Sequence, residues 1–272
     1  MTALADALPG AEPPSRNPLT ELIFQTRVLT WRLLLRAART PMTLVHGVLL
    51  PASFLLMLKV VFGNSITAIT GQDSIYRSVA LVALLSAMSG SSTGMVGINT
   101  ERLGGFLGRL WALPIHRAAG LLARLGGETV RLLFTTLVIL GVGVALGFRF
   151  HRAVGGAALW VALPVVFGVA FAALSTTAAL YWPRAIMVEA TQPVIVLGVT
   201  FCTGFVPANM YPDWVQPMVR NQPMSLADDA MRGLSAGGPV WTPATEFLLW
   251  CGGIILACLW PIMVGYRRAS TR

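Results

Sequence analysis

Charge is what this sequence has least of. Only 11% of its 272 residues are charged and 55% are hydrophobic, with a mean hydropathy of +0.70. A soluble domain carries roughly 25% charged residues, because its surface meets water. Most of this surface therefore meets something else. Lysine is almost missing: of 20 basic residues only Lys59 is not arginine. A P-loop requires G-x-x-x-x-G-K-[ST], because its lysine must reach nucleotide phosphates. Lys59 stands instead in Leu58-Lys59-Val60-Val61, so the chain has no ATP-hydrolysing domain of its own. The three histidines, His46, His116 and His151, lie on separate segments, and neither H-E-x-x-H nor G-x-S-x-G occurs. Independent catalysis is not expected. Cys202, Cys251 and Cys258 sit in apolar stretches without metal-ligand spacing, and read as ordinary small core residues. No metal or cofactor is expected in the chain itself. Residues 1–16 contain Asp6, Glu12 and three prolines, not a basic segment followed by an apolar one. They read as a disordered cytoplasmic tail rather than a cleavable signal.

What the chain does have is long apolar runs. Several extend over the ~20 residues that a helix needs to cross a hydrocarbon core of ~30 Å. Lipid offers a backbone N–H or C=O no partner, so a spanning segment is a helix or part of a closed barrel. Continuous runs, rather than ten-residue alternations, exclude the barrel. The expected class is all-α integral membrane, with residues 17–272 forming one transmembrane domain. Six spans are expected at about 43–62, 78–98, 128–146, 157–181, 187–206 and 242–264.

Residues 17–39 precede them as an amphipathic helix opening at Asn17-Pro18. Glu21, Gln25, Arg32, Arg36 and Arg39 share one face, while Leu19, Leu22, Ile23, Leu29, Leu33 and Leu34 are placed opposite. Such a helix lies along the membrane interface, arginines toward water and lipid phosphates; the alternative is a basic run that only sets topology. With both termini inside, thirteen arginines are cytoplasmic: Arg16, Arg27, Arg32, Arg36, Arg39, Arg102, Arg109, Arg117, Arg124, Arg184, Arg267, Arg268 and Arg272. Five are external: Arg77, Arg149, Arg152, Arg220 and Arg232. This is the positive-inside bias, and it orients the chain in a bacterial plasma membrane.

Four polar features carry competing readings. Gly90-x-x-x-Gly94 has the spacing of close helix packing, which outweighs a substrate contact. Arg124, Glu128 and Arg131 share a helical face, and a structural ion pair outweighs a functional intramembrane charge. The adjacent Asp228-Asp229 reads as capping or solvating an external helix. Glu189, beside Arg184, reads as an anchor more than a proton relay.

Residues 100–117, TERLGGFLGRLWALPIHR, combine charges, aromatics and leucines in a helix-sized stretch between two spans. Phe106, Leu107, Leu110 and Trp111 can form one exposed apolar face, as at a protein contact, or as in a helix lying flat on lipid. This stretch resembles the ABC-2-type exporter permeases, as does the downstream VALGFRFHR at residues 144–152. So do Gly204-Phe205-Val206-Pro207, Tyr211-Pro212-Asp213-Trp214, Asn221-Gln222-Pro223, Ala230-Met231-Arg232-Gly233 and the ending Gly265-Tyr266-Arg267-Arg268. The likeness is to the daunorubicin-resistance type, on the side of the mycobacterial C-subunit permeases of phthiocerol-dimycocerosate and drug export.

The resemblance implies a type V exporter-like fold, powered by a separate P-loop ATPase in two copies that binds the ATP and magnesium. Residues 17–39 become the connecting helix, with Arg32, Arg36 and Arg39 beside the ATPase. Residues 100–115 become the coupling helix, docking through Glu101, Arg102, Phe106, Arg109, Leu110 and Trp111 and closing at Pro114. Residues 207–235 become short external helices around Pro207, Pro212, Trp214, Asn221 and Pro223. Ser86, Ser89, Thr93, Phe201, Thr203 and Phe205 become pathway candidates. A second permease of B type, or otherwise a second copy, completes the pathway. The implied cargo is a hydrophobic lipid or amphiphilic drug. A gradient-driven transporter would instead need a titratable residue deep in a span, and a membrane enzyme would need clustered His, Asp or Glu. No nucleic-acid partner is implied.

Overall fold

The computed structural model describes residues 18–39, 45, 49–63, 74–103, 119–150, 154–182, 184–204 and 206–270. Every regular element among them is helical. Helix α1 is Pro18–Ala38, α2 is Leu50–Met57, and a π-helical turn, Leu58–Phe62, continues α2. Then follow α3 (Ser74–Leu103), α4 (Ala119–Ala145), α5 (Val154–Tyr181) and α6 (Arg184–Thr200). A 3-10 turn at Ala208–Met210 leads to the short α7 (Gln216–Asn221), then α8 (Pro223–Ala236) and α9 (Trp241–Ser270).

Three of these are long and apolar enough to cross a membrane: Leu122–Ala145, Gly156–Tyr181 and Trp241–Gly265. Leu50–Val61 is a shorter apolar helix. The outer surface of these segments is greasy. Phe134, Leu137, Leu249, Trp250, Leu256 and Trp260 are all half exposed or more, as lipid-facing or subunit-facing side chains must be.

The boundaries differ from the apolar runs in an instructive way. Helix α4 is described from Ala119, nine residues before the expected span, and α1 packs on that first part. Thr30 on α1 donates from Oγ1 to the Ala123 carbonyl at 3.2 Å, and Gly126 and Gly127 let Thr30 and Leu33 settle on α4. Helix α3 extends through Thr100–Leu103, and the rest of the expected coupling helix, 104–115, lies outside the described residues. Helix α6 stops at Thr200, six residues short of the expected span, and the chain turns through Phe201–Gly204.

Helix α3 is the centre of the bundle, packing on α2, α4, α5, α6 and α8. Val79 to Leu84 are buried without interruption, all round the helix, which is what a central helix requires. Glycine makes the neighbours fit. A Cβ on Gly143 of α4 would stand 2.9 Å from Val79, and one on Gly168 of α5 would stand 2.6 Å from Leu132 and 3.2 Å from Ala87. Small residues of this kind let membrane helices approach closely.

Helices α3, α4 and α5 alternate in direction and α9 runs parallel to α5, as contacts at the two ends show. At one end Tyr76 (α3), Phe148 (after α4) and Trp160 (α5) form an aromatic cluster with Phe150. Lys59 Nζ donates to the Leu146 carbonyl there, satisfying a carbonyl that the end of α4 leaves open. At the other end, Tyr181 (α5) donates to the Pro261 carbonyl of α9 at 3.0 Å. Pro261 sits inside α9, and its carbonyl, with two lone pairs, accepts the hydroxyl from α5.

On α1 the apolar side divides between a covered and an open part. Leu22, Leu29 and Leu33 are half-buried, but Ile23 is exposed along with Phe24, Val28, Trp31 and Leu35. The helix therefore has two apolar faces: one on α4 and one open. Arg32 and Arg39 are exposed; the Arg36 side chain lies outside the described residues.

Candidate functional site

Two polar clusters are built into this apolar bundle. The first lies where the start of α3, the turn after α6, and α8 meet. Helix α8 opens with Pro223 in its first turn, where the missing N–H costs nothing. It buries Met224, Leu226, Ala227, Ala230, Met231 and Leu234 against the core shared with α3, α5 and α9. A helix set that deeply carries its polar residues inward too. Asp228 is completely buried. Its Oδ2 accepts from Arg232 Nε at 3.0 Å, one turn along, and Arg232 also pairs with Asp229. Thr203 is the hub across the gap. Its Oγ1 donates to Asp229 Oδ1 at 3.0 Å, and its backbone N–H donates to Ser225 Oγ at 3.1 Å. Its carbonyl accepts from Arg77 Nη1 of α3 at 2.8 Å. Gln222 donates to the Phe201 carbonyl at 2.5 Å and to Ser225 Oγ at 2.9 Å.

The electrostatics follow from burial. Asp228 is pushed up to about 6, chiefly by burial, with Asp229 adding to the rise while Arg232 and Arg77 oppose it. Burial works against the Arg232 guanidinium, but Asp228 and Asp229 outweigh it and hold its pKa above the ordinary value. Asp228 Oδ1 has no hydrogen-bond partner. It lies over Gly204, where an added Cβ would stand 3.4 Å from that oxygen and 2.8 Å from Leu81 Cδ1. A side chain at this position would displace Leu81.

This overturns the expectation that Asp228-Asp229 caps or solvates an external helix: Asp228 sees no solvent and Asp229 is about one third exposed. The signal was in the sequence. Acids at 228 and 229 with an arginine at 232 have i,i+4 and i,i+3 spacing, on a segment whose apolar residues leave little solvent face.

The second cluster lies within the bundle, between α3, α4 and α5. Glu128 and Arg131 pair at 2.5 Å, with a second bond from Arg131 Nε at 3.1 Å. Ser91 of α3 joins them, 2.9 Å from Glu128 Oε1 and 3.0 Å from the Gly168 carbonyl of α5. The structural ion pair is thus formed through its i,i+3 arm. Gly90 and Gly94 serve it directly: a Cβ on Gly90 would overlap the Arg131 guanidinium, and one on Gly94 would stand 3.6 Å from Glu128 Oε2. The spacing read as helix packing in fact makes a groove for an ion pair. Glu189 is exposed.

The residues proposed to line a pathway are spread out. Thr203 is buried in the first cluster, and Phe201 is half-buried beside Tyr211, ring centroids 6.4 Å apart. Ser86 is buried and Ser89 exposed. Ser86 lies nine residues along α3 from Arg77, about 13 Å at 1.5 Å per residue. The Thr93 side chain and Phe205 lie outside the described residues. Among the external residues Trp214 is 84% exposed, Pro212 and Asn221 are exposed, and Pro207 is half-buried. Glu101 and Arg102 end α3, their side chains not being described; Phe106, Arg109, Leu110, Trp111 and Pro114 lie outside the described residues.

Residues 24–235 match the ABC-2 type transporter family, and the chain belongs to that family. It is therefore a multi-pass membrane protein of the permease class. It is similar to the probable doxorubicin resistance ABC transporter permease protein DrrC of Mycobacterium tuberculosis, 43% identical over 97% of this chain and 95% of the relative. It also resembles the daunorubicin resistance ABC transporter permease protein DrrB1 of Streptomyces coeruleorubidus, 27% identical over 86% of this chain and 82% of that protein.

Proposed function

We propose that this chain is the membrane subunit of an ATP-driven exporter that moves hydrophobic molecules out of the bacterial plasma membrane. The carrying observation is the full-length likeness to a drug-resistance permease, in a chain without a P-loop lysine. The energy comes from a separate ATPase in two copies, which holds ATP and magnesium. A second permease, of B type or a second copy, completes the pathway. The cargo is a phthiocerol-dimycocerosate-like lipid or an anthracycline-like drug, since few charges stand along the spans. Both termini are cytoplasmic, as the arginine bias requires. Six spans cross the membrane: the region of α2, then α3, α4, α5, α6 and α9. Helix α1 is the connecting helix, lying in the interface with Trp31 and Phe24 toward lipid. Residues 100–115 couple to the ATPase, and the external α7 and α8 cover the exit. Ser86, Ser89, Thr93, Phe201, Thr203 and Phe205 are the pathway candidates.

Affinity purification of the tagged chain from native membranes, followed by mass spectrometry, tests this. A P-loop ATPase is expected, lost with Arg109→Glu and uncoupled from transport with Trp111→Ala. Recovery of the chain without any ATPase, in detergents that keep other ABC complexes intact, would overturn the reading in favour of a gradient-driven transporter.

A further inference from the structure

Helix α6 is held unevenly. Among the described residues it packs on α3 and touches α5 only lightly. Val194, Val196 and Leu197 are exposed, and Ile195 alone of these neighbours is buried. Pro193 stands in its interior, a natural bending point. Its far end is different. The turn Phe201–Thr203 is tied by hydrogen bonds to Arg77 of α3 and to Gln222, Ser225 and Asp229 of α8. Helix α8, in contrast, is anchored through a broad apolar face. A weakly packed helix with a proline in it and a polar fastening at one end is an element that can swing when the fastening opens.

We propose that the Arg77–Thr203–Asp229–Arg232 cluster is a clasp on the end of α6, and that the protonation of Asp228 beneath it sets how readily the clasp opens. The exporter reading is needed only for the consequence, namely that release of α6 accompanies export; the clasp stands on the geometry. Opening brings water to a carboxylate that is wholly buried when the clasp is closed and that has one oxygen without a partner. The charged groups facing Asp228 are Asp229 and Arg232 on its own helix and Arg77 on α3; the Cys202 thiol faces Arg77. Helices α5 and α9 meet α8 through apolar residues of the shared core.

The sign follows by linkage. Closed, Asp228 holds its proton up to about pH 6; released into water it returns to the ordinary 3.8. The closed form binds the proton more tightly, so acid favours closure and neutral pH favours opening. Between pH 7 and pH 5 the opening constant falls roughly tenfold.

Cys202 is a built-in reporter, completely buried in the tied turn. The full-length chain carrying Cys251→Ala and Cys258→Ala, with the subunits that co-purify, is placed in lipid nanodiscs and reacted with a hydrophilic maleimide. Rates are divided by those of the same protein carrying Asp228→Asn, which cancels the pH dependence of the thiol. The ratio is expected to fall roughly tenfold from pH 7 to pH 5. Thr203→Val removes the hydroxyl bond to Asp229 and leaves Asp228 in place; it should label faster at both pH values while keeping the pH response. A ratio that does not change with pH, or a Thr203→Val chain that labels no faster than its parent, overturns the clasp. Repeating the labelling with ATP and magnesium separates the two readings. A pH response that ATP leaves untouched supports the clasp and counts against the exporter.

Discussion

Replacing Arg232 by methionine would remove the cation that Asp228 and Asp229 share while keeping most of the side chain's apolar bulk. Asp228 is fully buried, so losing Arg232 leaves its carboxylate without an ion-pair partner on its own helix. Breaking a buried pair by deleting one member costs roughly 3–5 kcal/mol. Arg232 keeps 18% of its side-chain surface exposed, and Asp228 can take up a proton, so the lower end, about 3 kcal/mol, is expected. Asp229 is 35% exposed and retains the Thr203 hydroxyl, so Asp229→Asn should cost only about 1 kcal/mol, as screened pairs do. The double variant Asp228→Asn/Arg232→Met should recover much of the loss, because no unpaired charge is left. Thermal unfolding of the purified complex in detergent, followed by intrinsic tryptophan fluorescence, measures the three. The pH dependence adds a second check. A carboxyl raised in the folded state binds protons more tightly folded than unfolded, so its contribution to stability rises as pH falls from above 6 toward 4. Arg232→Met should steepen that rise and Asp228→Asn should abolish it. Equal stability of Arg232→Met and the parent, or a double variant no better than Arg232→Met, would refute the buried-pair argument.

Other changes follow from the same packing. Gly204→Ala pushes a methyl against Leu81 and toward Asp228, and should destabilise by about 1–3 kcal/mol, read as a lower unfolding temperature. Glu128→Ala strands Arg131 between α3 and α4 and should cost about 3 kcal/mol; adding Arg131→Met should restore part of it, as a double-mutant cycle on unfolding temperature would reveal.

How much of this was legible without coordinates depends on the kind of interaction. The all-helical membrane class followed from apolar length alone, because backbone groups in lipid have no other way to be satisfied. The start of α5 and the end of α9's apolar stretch fell close to expectation, since hydropathy changes sharply there. The start of α4 and the end of α6 did not, because α1 and α8 pack on them from far along the chain.

The polar residues show the division most clearly. Composition determined that charges would be rare, that arginine would carry nearly all the positive charge, and that no phosphate-binding lysine exists. Local spacing already paired Glu128 with Arg131 and set Asp228 and Asp229 within a turn or so of Arg232, because residues three and four apart on a helix are neighbours whatever surrounds them. Only the tertiary structure decided that Asp228 is buried, that Thr203 joins α6 to α8, and that Gly90 receives an arginine rather than a helix. Those outcomes rest on contacts between residues far apart in the chain, such as Arg77 and Thr203, separated by 126 positions. A pattern of neighbours along one helix holds no record of which other helix will close over it.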